Sequence, residues 1–142
     1  MDAPCLKVFI SDDSEMIRGR LANFLLGTVR GIEIVGDAAN SVETVSRIGA
    51  LSPDVAILDL WMGERNNVEI LAKLRRSQPG LFLMVLTNDA SPPVRDKCLA
   101  LGADCFFDKS TEFENARDVL RDLVGMRAGK IAEPAFLSGQ RA

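Results

Sequence analysis

The stretch Asp54-Val55-Ala56-Ile57-Leu58-Asp59-Leu60-Trp61 decides how this chain folds. It is a short, nearly unbroken apolar run containing the β-branched Val55 and Ile57. Such a run reads as a strand buried on both faces, the kind found inside a parallel sheet. It delivers one carboxylate, Asp59, to its carboxyl end. An acid at the tip of an apolar strand is unfavourable unless something binds it. The function therefore depends on what surrounds Asp59.

The flanking sequence repeats one rhythm. Upstream, Leu6 to Ile10 reads as a buried strand, and Ser14 caps a helix with Ile17, Leu21, Phe24 and Leu25 on one face. After Gly31, Ile32 to Val35 mixes apolar and acidic residues as an edge strand does. Ser41 is the expected cap of a second helix carrying Val42, Val45 and Ile48 inward, and Ser52-Pro53 ends it. Downstream, Asn66 or Asn67 is the expected cap of a third helix, with Val68, Leu71 and Leu74 inward and Gln78-Pro79-Gly80 as its stop. Leu81 to Leu86 is an apolar fourth strand. Ser91-Pro92 opens a fourth helix with Val94, Cys98 and Leu101 on its apolar side, closed by Gly102. Cys105 to Phe107 is a short fifth strand, and Thr111 to Glu114 fits a capping box for a last helix presenting Phe113, Ala116, Leu120 and Leu123. Five strands alternating with five helices predict an α/β fold, a doubly wound five-stranded parallel sheet covered on both faces. Residues 1–125 are expected to form this domain, and 126–142 a tail or the start of a linker, because Gly, Pro, Ala and Arg mix there with weak periodicity and no helix-turn-helix fits.

Composition narrows the function. The chain has 142 residues, is 47% hydrophobic and 26% charged, and carries a net charge of -3, so affinity of the whole domain for nucleic acid or anionic lipid is not expected. No apolar run approaches a membrane span, and with no basic region followed by an apolar stretch at Met1-Asp2-Ala3-Pro4 no signal peptide is expected. Cys5, Cys98 and Cys105 are an odd number without C-x-x-C spacing, which points to a reducing cytoplasm. There is no histidine, which removes the usual general base and the commonest transition-metal ligand.

In an open parallel sheet, ligands bind beyond the carboxyl ends of the strands, where strand order reverses. The first strand ends at Ser11-Asp12-Asp13, the third at Asp59, the fourth at Thr87 and the fifth at Asp108-Lys109. Asp37 ends the second, an edge strand too far out to join them. The crevice thus receives three acids, a hydroxyl and a lysine. Crowded carboxylates repel, and burial sharpens the repulsion unless a proton or a cation intervenes. Oxygen-only ligands favour a hard divalent ion, Mg²⁺ above others. Metal, ammonium and hydroxyl together make a receptor for phosphoryl oxygens, and Asp59 is the group able to attack phosphorus. Each feature alone is ordinary: an acidic pair after a strand is usually a solvated turn, and a lone lysine a surface charge. Their order at successive strand ends is not.

These residues carry a resemblance. From about Leu6 to Val124 the chain resembles a receiver domain of two-component response regulators, through Val8-Phe9-Ile10-Ser11-Asp12-Asp13, Ile57-Leu58-Asp59-Leu60-Trp61-Met62, Val85-Leu86-Thr87 and Phe106-Phe107-Asp108-Lys109. The resemblance implies a CheY-like, flavodoxin-like (βα)5 sheet of order 2-1-3-4-5, with Asp59 as phosphoacceptor. It implies that Asp12, Asp13, Asp59 and the backbone carbonyl of Trp61 hold Mg²⁺, and that Thr87 and Lys109 bind phosphoryl oxygens. Thr87 and Phe106 match the family's switch positions, where the aromatic ring turns inward and remodels the surface of helix four, strand five and helix five. The implied partners are a sensor histidine kinase or phosphotransfer protein, a downstream effector or output domain, and a second copy through that same surface. The implied activity is that of a phosphoacceptor, with at most slow self-phosphorylation from small donors and slow autodephosphorylation.

The chain departs from the family pattern at four places. Gly63 replaces the usual proline, Asn66-Asn67 an Asp/Asn-Gly turn that asparagine can sustain by adopting the left-handed conformation, Asn88 a small residue, and Ser110 a proline after Lys109. A trans Lys109–Ser110 bond is therefore expected. A flavodoxin-like cofactor binder would share the topology, but Asp12-Asp13 would repel its phosphate. An aspartyl phosphohydrolase would want a second acid where Trp61 stands. The remaining alternative is a pseudo-receiver, unphosphorylated, acting as a protein–protein interaction module.

Overall fold

The apolar run around Ile57 forms β3 (Val55–Leu58), buried at every residue. It is sandwiched in parallel between β1 (Leu6–Ser11) and β4 (Phe82–Thr87), with Ile57 level with Ile10 on one side and Met84 on the other. β2 (Ile32–Ala38) and β5 (Cys105–Asp108) complete a five-stranded parallel sheet of order β2-β1-β3-β4-β5. The order reverses between β1 and β3, so the crevice beyond their carboxyl ends lies between the tips that carry Asp12 and Asp59. The computed structural model describes residues 5–63 and 65–129, with the side chain of Arg65 excepted. Of the expected tail, residues 130–142 lie outside that range.

Five helices cover the sheet: α1 (Glu15–Thr28), α2 (Ser41–Leu51), α3 (Glu69–Ser77), α4 (Pro92–Ala100) and α5 (Phe113–Arg127). Alternate residues of each strand feed two cores. One joins Val8, Ile10, Ile57 and Phe107 to Leu21, Leu25, Ala116 and Leu120 from α1 and α5. The other joins Phe9, Leu58, Val85 and Phe106 to Ile48, Leu71, Leu74 and Cys98 from α2, α3 and α4. This is the pattern expected of a strand buried on both faces.

Local expectations fail where neighbours compete. The cap of α2 is Asn40, whose Oδ1 accepts from the Glu43 amide at 2.8 Å, and Ser41 is already helical. Val42 is 81% exposed, and the residues α2 buries are Thr44 and Ile48, because the helix is rotated from the purely apolar face. Neither Asn66 nor Asn67 caps α3; Val68 precedes it without a side-chain bond, and α3 buries Ile70 with Leu71 and Leu74. The left-handed residue of the preceding turn is Gly63 (φ 64°), and no asparagine among the described residues takes that conformation. α4 opens at Pro92 after Ser91 as expected, but the Ser91 hydroxyl donates to Asp89 instead of capping. The Thr111 capping box does not form. Glu112 takes the cap position without a side-chain bond of the capping kind, and its Oε1 reaches back to the Asp108 amide at 3.2 Å. β2 runs on to Ala38 through a register shift opposite Val8/Phe9. Gly36 lies there because a Cβ would come within 2.7 Å of Leu51.

Candidate functional site

Each site residue is set by the end of its strand. The Asp12 amide donates to the Ala38 carbonyl at 3.1 Å and the Asp59 amide to the Ser11 carbonyl at 2.9 Å, so the sheet's ladder continues one step into the crevice. The Lys109 amide donates to the Thr87 carbonyl at 2.9 Å in the same way. Asp12 and Asp59 are buried, 4% and 7% exposed. Oδ1 of Asp12 accepts from the Ser14 amide at 2.9 Å, and Oδ1 of Asp59 from the Trp61 amide at 3.0 Å. Their other oxygens meet one cation: Lys109 Nζ donates to Asp12 Oδ2 and, at 2.8 Å, to Asp59 Oδ2. Burial disfavours a charged lysine, but the hydrogen bonds to Asp12 and Asp59, with their charges, outweigh it and hold the Lys109 pKa above the usual lysine value.

Asp12, Asp59 and Lys109 are therefore brought together. Asp13 and Trp61 line the same cleft of about 1060 Å³ but on its rim, where both are exposed. Thr87 is 2% exposed, and its hydroxyl accepts from the Asp89 amide at 3.4 Å. Phe106 pairs with Val85 in the sheet and is 3% exposed, so its ring already lies inward. The Lys109–Ser110 peptide is trans. Asp37 ends far from Lys109 in sheet order, as expected, yet it is tied to the site indirectly: its Oδ2 accepts from Arg18 Nε at 2.9 Å, and Arg18 also donates to the Asp12 carbonyl at 2.6 Å.

The sequence did not single out Arg18, nor Arg20, which lines the cleft with Phe113. Their helical spacing from Asp12 was readable; the direction of their side chains was not. Asn67, a cap candidate by sequence, is 4% exposed, and its side-chain amide donates to the Leu60 and Met62 carbonyls at 3.1 and 3.0 Å. It braces the loop that carries Trp61, which forms a short antiparallel pair, Trp61–Met62 with Arg65–Asn66.

The donor set tests for a metal. Two buried carboxylates converging on an ammonium already require positive charge, and the ligands are all oxygen, as Mg²⁺ prefers. Among the described residues no three acidic, histidine or cysteine side chains stand close enough to hold an ion. Mg²⁺ needs only one or two carboxylates and keeps several waters, so the pair Asp12 and Asp59 fits it.

Known proteins resemble this chain over most of its length. The family described as Response regulator receiver domain matches residues 8–121. The response regulator protein VraR of Staphylococcus aureus (strain NCTC 8325 / PS 47) is 28% identical over 136 residues, which are 96% of this chain and 64% of VraR. The chain thus spans a little under two thirds of the length of the curated relatives it matches. The signal receiver domain of NarL from Mycobacterium tuberculosis superposes with a TM-score of 0.76 at 21% identity, covering 86% of this chain and 98% of that one. The isolated REC domain of RcsB from Salmonella enterica serovar Typhimurium gives 0.73 at 22% identity, covering 96% and 98%. The family match covers most of the chain and the strand order accords with it: the chain belongs to the response regulator receiver domain family.

Proposed function

We propose that this receiver domain is a phosphoacceptor, phosphorylated on Asp59 with Mg²⁺ in a two-component or phosphorelay system. The observation that carries the reading is the Lys109 ammonium bonded to both Asp12 and Asp59, which gathers nucleophile, acid and cation at one point. An Asp59 oxygen forms the new O–P bond while the P–N bond of a phosphohistidine, or the P–O bond of an acyl phosphate, breaks and its electron pair leaves with the donor. Asp12 and Asp59 would hold Mg²⁺, with Asp13 joining through water and the Trp61 carbonyl as a further oxygen, and the ion would supply charge neutralisation for the phosphoryl oxygens. Lys109 then exchanges its bond to Asp59 for one to a phosphoryl oxygen, and the Thr87 hydroxyl turns from the Asp89 amide to donate to another. No general base follows Asp59 at the right place, so hydrolysis is slow and the domain acts as a timed signal, not as an enzyme.

Readout follows from movement at Thr87, carried past the Phe106 ring, which is already turned inward, to the surface of α4, β5 and α5, which is also the candidate dimer face. The donor is a sensor histidine kinase or phosphotransfer protein in the cytoplasm, and the receiver of the signal a downstream effector or output domain. Neither nucleic acid nor membrane is a direct partner of this chain. Among the described residues no helix is long and apolar enough to cross a membrane. Incubation with acetyl phosphate and Mg²⁺ followed by intact mass tests the reading. Wild type gains one phosphoryl group and Asp59→Asn none; a wild type that stays unmodified makes the domain a pseudo-receiver.

A further inference from the structure

Arg18 lies on the first turns of α1 with its side chain 15% exposed, unusual for a guanidinium on a helix. It makes two bonds to different parts of the fold. One nitrogen donates to the Asp12 carbonyl at 2.6 Å, and another to Asp37 Oδ2 at 2.9 Å at the end of β2. Asp37 is held in turn, its carbonyl accepting from Arg47 of α2 at 2.6 Å. The peptide of Asp12 is thus fixed on both sides: its amide by Ala38, its carbonyl by Arg18. Its carboxylate keeps one oxygen on the Ser14 amide, which leaves Oδ2 directed into the crevice toward Lys109.

We infer that Arg18 is a positioning residue for the Asp12 carboxylate, and so for Mg²⁺ binding; this rests on the reading above that Asp12 holds the metal. Asp12 lies at a junction where the strand has ended and the helix has not begun, so no ladder fixes its carbonyl. A planar guanidinium can hold that carbonyl and an anchoring carboxylate at once, which a single ammonium does less well. Groups that orient metal ligands in this way commonly account for about tenfold or more in metal affinity.

Coulomb's law and positioning predict opposite signs, which makes the inference testable. Arg18 is a cation near a cation site, so as a charge alone its removal tightens Mg²⁺. As a positioning group its removal weakens Mg²⁺. Titration of the whole chain with MgCl₂ by calorimetry reads this without any phosphoryl transfer. Arg18→Met is expected to raise the Mg²⁺ dissociation constant about tenfold. Arg18→Lys, which keeps the charge, is expected to raise it several-fold, and Asp37→Asn, which releases the anchor, about threefold. Circular dichroism identifies any variant that does not fold, and Arg18→Lys, which keeps the charge, carries the test if Arg18→Met is among them. An unchanged or tighter constant in Arg18→Lys and Arg18→Met overturns the role of Arg18 alone. A wild type that takes up no Mg²⁺ overturns the metal reading, and the role of Arg18 with it.

Discussion

Nζ of Lys109 lies 2.8 Å from Oδ2 of Asp59, joining residues 50 positions apart, and the same nitrogen bonds Asp12 from 97 positions away. One ammonium neutralises two buried carboxylates from different strands. Removing one partner of a buried ion pair leaves an uncompensated charge, at a typical cost of about 3 kcal/mol. Lys109→Met should therefore lower stability in urea by roughly that amount in metal-free buffer. Because the folded pKa of Lys109 is raised, its contribution is complete below the unfolded value of about 10.4 and fades as pH rises through the folded one. The gap in urea midpoint between wild type and Lys109→Met should stay constant from pH 7 to about 10 and narrow above it. A gap that widens in alkali contradicts this account.

Trp61 is the chain's single tryptophan, 49% exposed on the wall of the cleft, with its amide on Asp59. Its fluorescence should change when Mg²⁺ is added, and further with beryllofluoride. The indole should also shield the acyl phosphate from water. Trp61→Asn is expected to shorten the dephosphorylation half-life several-fold, followed by loss of label in phosphate-free buffer; an equal or longer half-life rules out shielding.

Arg75 ties three segments together. Its guanidinium donates to the carbonyls of Pro79, Leu81 and Gly102 and to Asp104, whose Oδ2 also accepts from the Leu83 amide. Gly102 is left-handed (φ 119°), and a Cβ there would lie 3.1 Å from the Arg75 stem. Arg75→Ala should cost about 2 kcal/mol, since several acceptors lose a charged donor together. A double-mutant cycle with Asp104→Ala should show coupling; strict additivity means the two act separately.

The thiols differ in kind. Cys5 is exposed, whereas Cys98 is buried and its pKa is raised to about 11 by burial and the nearby Asp89, and burial lifts Cys105 well above the usual thiol value. Only the thiolate reacts, and at pH 8 a thiol of that pKa is ionised to about one part in a thousand. Ellman's reagent should titrate one thiol rapidly in the native protein and three in denaturant. Rapid release of more than one native thiol means that one of the two cores opens easily.

The sequence by itself determined the five strands of the main sheet, their α/β alternation and which residues stand at the tips around the crevice, but neither the full length of β2 nor the short pair Trp61–Met62 with Arg65–Asn66. Apolar runs and turn signals are local, so Asp12, Asp59, Thr87 and Lys109 were legible as strand ends before any strand was placed. The resemblance added the strand order. Helix caps were legible only in part, because adjacent candidates such as Asn40 and Ser41 differ too little locally; packing against the sheet chose between them. The same packing turned Val42 outward and Thr44 inward.

Only the tertiary structure decided the bonds that make the site. Lys109 reaches Asp12 and Asp59 because the sheet order sets β1 beside β3 and β5 two strands beyond it. Arg18 joins Asp12 to Asp37 because α1 starts beside the tips of β1 and β2 before it runs back along the sheet. Period and propensity act over a few residues, whereas these contacts depend on where whole strands come to rest, and that is fixed by burial of both faces of the sheet at once.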